Sequence, residues 1–210
     1  MSAQSKHLHL FVASTNPGKL REYRALASAA NAPVEIVSIP DFDAVPIHEE
    51  DAPTFAENAV GKALYYSRFT AGLVLADDSG LVVPSLGGAP GVHSARYAGP
   101  GASDADRIQK LLLEMGDMKG EDRHARFVCV LALAEAGEAR GLFSASAEGE
   151  ILEAPKGENG FGYDPVFFFT ELGKTYAEIS GEEKNLYSHR GKAFHKALDF
   201  LMGQRRDAPA

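Results

Sequence analysis

The sequence predicts an α/β protein with a long mixed β-sheet flanked by helices, and three observations lead there. Short apolar runs at 8–13, 34–39 and 73–76 read as strands and alternate with helical patterns at about 19–29 and 54–68, the order that lays strands side by side through helical crossovers. Two later strand-like runs, 125–133 and 141–147, flank a short turn at 135–138 and read as an antiparallel hairpin, which makes the sheet mixed. Finally, 45% of the 210 residues are hydrophobic, enough for a sizeable core in one compact domain or two closely joined lobes.

The first strand runs into Ser14-Thr15-Asn16-Pro17-Gly18-Lys19 and then a helix. Amide groups at a helix start attract anions, and Lys19 adds a full positive charge, so this turn is a candidate phosphate site. Ser, Thr and Asn before a helix are also ordinary caps. The pattern lacks the spacing of the Walker loop, which that nucleotide class requires. After the second strand comes an acidic, proline-containing loop with Glu49, Glu50 and Asp51. It is either a solvated loop or, folded back on the chain, a source of carboxylates for Mg²⁺. Thr54 and Glu57 then form a capping-box pattern. Asn58 and Lys62, four apart, share one helix face, either toward solvent or toward a phosphate.

Residues 73–83 carry two apolar runs joined by Asp77-Asp78-Ser79-Gly80. Asp is a poor strand residue, so the acids are expected at the C-terminal edge of a buried strand, where open α/β sheets bind ligands, followed by a Ser-Gly turn. Alternation along a strand sends the two side chains in different directions, so one acid is expected to do chemistry and the other to find structural partners. A local turn with both acids bonded to nearby amides is the competing reading.

The stretch 84–101 is rich in Gly and Pro and reads as a long irregular loop, followed by an amphipathic helix over 104–114 with Ile108, Leu111 and Leu112 on its apolar side. Residues 157–165 place an aromatic among glycines. Phe161 is suited to stack on a planar base, and Asp164 either anchors the turn or bonds the base edge. Packing of an aromatic turn explains the same residues. A short helix over 182–186 precedes a last helix over about 190–202, and Lys184, His189 and Arg190 gather donors at that junction, as a helix cap or as ligand contacts. The tail 204–210 is expected to fray.

Twenty-one Lys and Arg against 29 Asp and Glu leave a formal charge of −8, which disfavours a polyanionic nucleic acid as principal partner. Cys129 is the single cysteine and lies in an apolar run, so an intramolecular disulfide is excluded and a buried thiol in a reducing cytoplasm is expected. No stretch approaches the roughly 18 apolar residues of a membrane span, and the first residues lack the apolar core of a signal peptide.

Six blocks occur in order: Ser14-Thr15-Asn16-Pro17-Gly18-Lys19; Phe55-Ala56-Glu57-Asn58-Ala59 with Lys62; Ala76-Asp77-Asp78-Ser79-Gly80-Leu81; Gly87-Gly88-Ala89-Pro90-Gly91-Val92-His93-Ser94-Ala95-Arg96-Tyr97; Phe161-Gly162-Tyr163-Asp164-Pro165; and Ser188-His189-Arg190-Gly191. Together they resemble the Ham1/RdgB/inosine triphosphatase family over nearly the whole chain. The Asp-Asp-Ser-Gly and Ser-Ala-Arg-Tyr forms are similar to the bacterial, RdgB-like members.

The resemblance implies a homodimer of two-lobed chains around a long mixed sheet with a central cleft, and Mg²⁺-dependent hydrolysis of dITP, ITP, XTP and dXTP to monophosphate and pyrophosphate. It implies that Ser14, Thr15, Asn16, Pro17, Gly18 and Lys19 contact the triphosphate, with Lys62 assisting. Asp78 would be general base and metal partner, Glu49 or Glu50 would supply a second metal carboxylate, and Asp77 would position the turn or metal-bound waters. Ser79, Phe161, Gly162, Tyr163, Asp164, Lys184, His189 and Arg190 would line the nucleotide. A Maf-like pyrophosphatase preferring pyrimidine or modified nucleotides and a nucleotide sensor without turnover are the competing functions.

Overall fold

The computed structural model describes residues 7–207. Seven strands, β1 (Leu8–Val12), β2 (Val34–Ser38), β3 (Leu73–Val82), β4 (His124–Glu135), β5 (Glu138–Ile151), β6 (Phe167–Phe169) and β7 (Lys174–Thr175), form one sheet in the order β2-β1-β3-β4-β5-β6-β7. β1 runs parallel to both β2 and β3, whereas β5, β6 and β7 pair antiparallel. The mixed α/β class expected from the sequence is therefore the one observed. Among the described residues five α-helices accompany it: α1 (Pro17–Ala29), α2 (Phe55–Tyr66), α3 (Asp104–Met115), α4 (Gly181–Tyr187) and α5 (His189–Asp207). α5 stays helical through Asp207, and the remainder of the tail expected to fray, 208–210, lies outside the described residues.

The chain separates into two compact units. The first comprises 1–78, 130–144 and 193–210, and the second 79–129 and 145–192. In the first unit the parallel strands bury Leu10, Val12, Val34, Ile36, Val74 and Leu75: β1 and β2 alternate buried with more exposed residues, whereas β3 is buried continuously from Leu73 to Asp78. Tyr23 of α1 and Phe194 of α5 are fully buried with ring centroids 5.1 Å apart. The core of the second unit gathers Leu81, Ile108, Leu111, Phe127, Tyr163, Phe167, Phe169 and Tyr176. Burying a side chain of this size contributes about 1.5–3 kcal/mol before chain entropy is set against it.

The sequence patterns explain the element ends. Asn16 caps α1 by accepting from the Lys19 amide, with Pro17 at the first helical position. Thr54 caps α2 through the Glu57 amide, as its spacing predicts. The β4–β5 connection is the two residues Ala136 and Gly137, both at positive φ (50° and 79°), the geometry of a tight hairpin turn.

Three elements differ from the sequence reading. β3 does not end at Asp77; it continues unbroken through Asp77, Asp78, Ser79 and Gly80 to Val82. β1, by contrast, pairs with β3 only as far as Val12 opposite Leu75. The acids thus lie in mid-strand but just past the end of their parallel neighbour, and the expected Ser-Gly turn is absent. Side-chain partners for the acids replace the turn that would have hydrated them. The loop over 84–101 contains two 3₁₀ turns, Pro84–Leu86 and Gly91–Arg96. The hairpin is longer than predicted, because polar residues alternate with apolar ones on β5 as far as Ile151.

Candidate active site

In the first unit, α1, β3 and α2 bring together the residues expected to handle phosphate. Successive side chains of β3 take opposite faces, and the two acids separate accordingly. Asp77, 1% exposed, accepts from Lys19 Nζ at 3.1 Å and from the Tyr23 hydroxyl at 2.5 Å. It therefore fixes Lys19 and the start of α1, and Tyr23 is a partner that no motif had singled out. Asp78, 7% exposed, leaves its Oδ2 buried without a hydrogen-bond partner. Burial pushes its carboxyl from 3.8 up to about 6. The Asn58 hydrogen bond opposes the rise, the charge of Glu50 adds to it, and Lys19 and Lys62 pull it back.

The acidic loop folds back on α2, where Asn58, Lys62 and Tyr66 form a stripe at four-residue spacing. Asn58 clamps the Ala52 backbone through two hydrogen bonds, of 3.0 and 3.3 Å. Lys62 Nζ lies 2.8 Å from Glu50 Oε1, and the Tyr66 hydroxyl accepts the His48 amide at 3.1 Å. Asn58 and Lys62 are buried, so the solvent-facing alternative for that pair does not hold. Of the two glutamates, Glu50 is half-buried and acts electrostatically on Asp78, whereas Glu49 is exposed. The remaining loop residues, Ser14, Thr15, Asn16, Pro17 and Gly18, run from the end of β1 into α1, with the Asn16 amide bonded to Ser14 Oγ at 3.1 Å.

Among the described residues no group of three or more His, Cys, Asp or Glu is arranged as a ready metal site. Two hard carboxylates, one with an unpartnered buried oxygen, nevertheless suit a cation such as Mg²⁺, which takes few protein ligands and keeps waters and substrate phosphates.

The second unit assembles the other candidates. The turn from Phe161 to Asp164 is closed by Asp164 Oδ2, which accepts the Phe161 amide at 2.9 Å and Lys184 Nζ at 2.6 Å. Asp164 is thus an anchor of the turn, the first of its two expected roles. Gly160 makes room for it: at φ 78°, an added Cβ would stand 2.1 Å from that same oxygen. Tyr163 is buried in the core and donates its hydroxyl to the Ser94 carbonyl at 3.0 Å. Phe161 remains half-buried, with Lys184 Nζ 4.8 Å and the Arg190 guanidinium carbon 5.7 Å from its ring centre. Arg190 Nη2 also donates to Ser79 Oγ at 2.9 Å. His189 stacks on Phe127 at 4.7 Å and 10°. Lys184, His189 and Arg190 are all buried, which a solvated helix cap does not explain.

Gly191 permits this crowding, because its Cβ would meet the Asn185 carbonyl at 1.9 Å. Gly162 sits at φ 64° and donates its amide to Asp104 Oδ2 at 2.6 Å. The sequence places Asp104 only at the start of an amphipathic helix. Nothing in its spacing links it to a glycine 58 positions on.

The mixed α/β chain thus carries, in its first unit, a desolvated carboxylate beside two lysines and, in its second, an aromatic turn backed by buried cations, which places it in the α/β class. Comparison with known proteins narrows the class. The Ham1 family model matches residues 10–200. The "dITP/XTP pyrophosphatase" of Geobacillus kaustophilus (strain HTA426) is 52% identical over 187 residues, covering 89% of this chain and 91% of that protein. The protein of that name from Syntrophobacter fumaroxidans (strain DSM 10017 / MPOB) is 50% identical over 209 residues, covering 96% and 88%. The solved structure of a HAM1 protein from Coxiella burnetii superposes with a TM-score of 0.83 at 41% identity, covering 93% of this chain and 99% of that one. The chain belongs to the Ham1 family.

Proposed function

We propose that the protein is a house-cleaning nucleoside triphosphate pyrophosphatase that hydrolyses the non-canonical purine nucleotides dITP, ITP, XTP and dXTP to monophosphate and pyrophosphate. The observation that carries this reading is Asp78: a buried carboxylate with one oxygen unpartnered, and Lys19, Lys62 and Glu50 acting on it. Relatives named dITP/XTP pyrophosphatase at about half identity over most of the chain support it.

Asp78 is the general base. A carboxyl raised to about 6 is ionised at neutral pH yet more basic than an exposed one, which suits it to orient a water and take its proton. Lys19 and Lys62, with the residues from Ser14 to Gly18, hold the triphosphate and oppose the charge that develops on the leaving pyrophosphate. Asp77 and Tyr23 keep Lys19 directed. Asp78 and Glu50 are the residues that would hold Mg²⁺, which when bound would supply Lewis-acid neutralisation of the phosphates. Glu49, exposed, is the weaker candidate for that role.

The base belongs to the second unit's residues. Phe161 provides an aromatic face, with Ser79, Gly162, Tyr163 and Asp164 shaping its surroundings. Lys184, His189 and Arg190 supply donors. Hypoxanthine and xanthine offer a carbonyl at position 6 to such donors. Adenine puts an amino group there, leaving buried donors opposed and unpaired, a mismatch that discriminates strongly.

We further propose a homodimer in the cytoplasm with no nucleic-acid or membrane partner. The formal charge of −8 supports the absence of a nucleic-acid partner, and among the described residues no helix is long and apolar enough to cross a membrane; the homodimer follows from the family resemblance alone. The test of the reaction is product identity. ³¹P NMR of a dITP digest is expected to show pyrophosphate and dIMP, with neither formed by Asp78→Asn. Release of orthophosphate, or full activity in that variant, would overturn the assignment.

A further inference from the structure

We propose that Asp104, at the start of α3, is a positioning residue that sets the direction of the Phe161 ring and thereby contributes to base preference; the proposal rests on the reading of Phe161 as the platform for the base. The direction of a side chain follows from the backbone at its own Cα, and that backbone is held from its two flanking peptide groups. At Phe161 both groups are tied to carboxylates. The Phe161 amide donates to Asp164 Oδ2 at 2.9 Å, and the next amide, that of Gly162, donates to Asp104 Oδ2 at 2.6 Å. Asp164 lies within the turn, whereas Asp104 comes from another element. Asp164 reaches other elements only through its own partners, Lys184 Nζ at 2.6 Å among them, whereas the Asp104 bond ties a peptide group flanking Phe161 directly to the frame of α3.

That frame is itself held. The other carboxylate oxygen of Asp104 pairs with Arg107 one helical turn on. Arg107 Nη1 donates to the carbonyls of Ala95 and Ala102, each at 2.8 Å. The guanidinium thus joins the segment before α3 to the first turn of the helix and presents the Asp104 carboxylate in one orientation. Ser103 and Asp106 close a capping box at the same end, so α3 does not need Asp104 for its cap. Gly162 at φ 64° directs its amide out of the turn, a conformation that residues with a Cβ rarely adopt. No atom lies within 4 Å of where its Cβ would be, so the glycine answers to backbone direction rather than to crowding. An acceptor aimed at that amide is what makes the direction useful.

The experiment compares Asp104→Ala with Asp104→Asn, which keeps an acceptor oxygen, using hydrogen exchange at the Gly162 amide and steady-state kinetics on dITP and dATP. In Asp104→Ala, Gly162 exchange is expected to accelerate, and KM for dITP to rise roughly three- to tenfold with kcat within about twofold. The dITP-to-dATP ratio of kcat/KM should fall, and Asp104→Asn should restore KM and the ratio to within about twofold. Unchanged exchange at Gly162 in Asp104→Ala would overturn the proposal, as would an unchanged KM and ratio, or an Asn variant as impaired as the Ala variant. A wild-type protein without preference for dITP over dATP would instead remove the base-platform reading, while the exchange arm would still decide whether Asp104 holds the turn.

Discussion

Asp78 couples function to stability with opposite signs. Its folded pKa of about 6 lies above the unfolded value of 3.8, so between these values the folded state binds more protons. The carboxyl costs nothing below about pH 3.8, where both states are protonated. The cost grows through the window and is complete above about pH 6, on the order of 3 kcal/mol. Asp78→Asn should therefore abolish turnover yet unfold at higher temperature than the wild type at pH 7.5 in chelator, with the difference vanishing near pH 4. Thermal melts at the two pH values check this, and a variant less stable at pH 7.5 would contradict it. The two glutamates give a second contrast. Glu50→Gln should raise the Mg²⁺ concentration needed for half-maximal activity by tenfold or so, as loss of a ligand commonly does, while Glu49→Gln stays near wild type. A titration of activity against Mg²⁺ separates them.

At the scale of elements, strand alternation was legible in the sequence and strand length was not. Alternation separated the surroundings of the two acids: Asp77 meets Lys19 and Tyr23, and Asp78 keeps one oxygen without a partner. What hid the continuation of β3 was the assumption that carboxylates must reach water. Lys19, Tyr23 and Asn58, distant in sequence, supply partners instead. The fold-back of the acidic loop was equally hidden, although the Asn58, Lys62 and Tyr66 stripe was present as a four-residue spacing and could have been read as a docking face. Asp104 gave no signal at all, since its partner is a backbone amide. The glycine-bearing turn makes its own prediction. Gly160→Ala forces a Cβ onto Asp164 at a positive φ and should destabilise the protein by about 2 kcal/mol while raising KM for dITP. Melts and kinetics together would show both effects, and loss of stability without a change in KM would mean that the turn does not serve the base.

Over the whole molecule, the residues assigned to phosphate and metal fall in the first unit, and those assigned to the base fall in the second. Sequence order alone distributes them in this way: β3 passes from Asp78 in one unit to Ser79 in the other. The mixed sheet could be anticipated because apolar runs, helix caps and a short turn at 135–138 are local signals. Which later segments complete each unit could not, because 130–144 returns to the first unit while 145–192 belongs to the second. Base discrimination is the property that the proposed function assigns to the residues of the second unit. The most direct measurement is pyrophosphate release by the wild-type protein from dITP, XTP, dATP, dGTP and dTTP in parallel. The account predicts kcat/KM for dITP and XTP at least a hundredfold above that for the other three, a margin of about 2.7 kcal/mol. Equal turnover of all five, or a preference for dTTP, would contradict it.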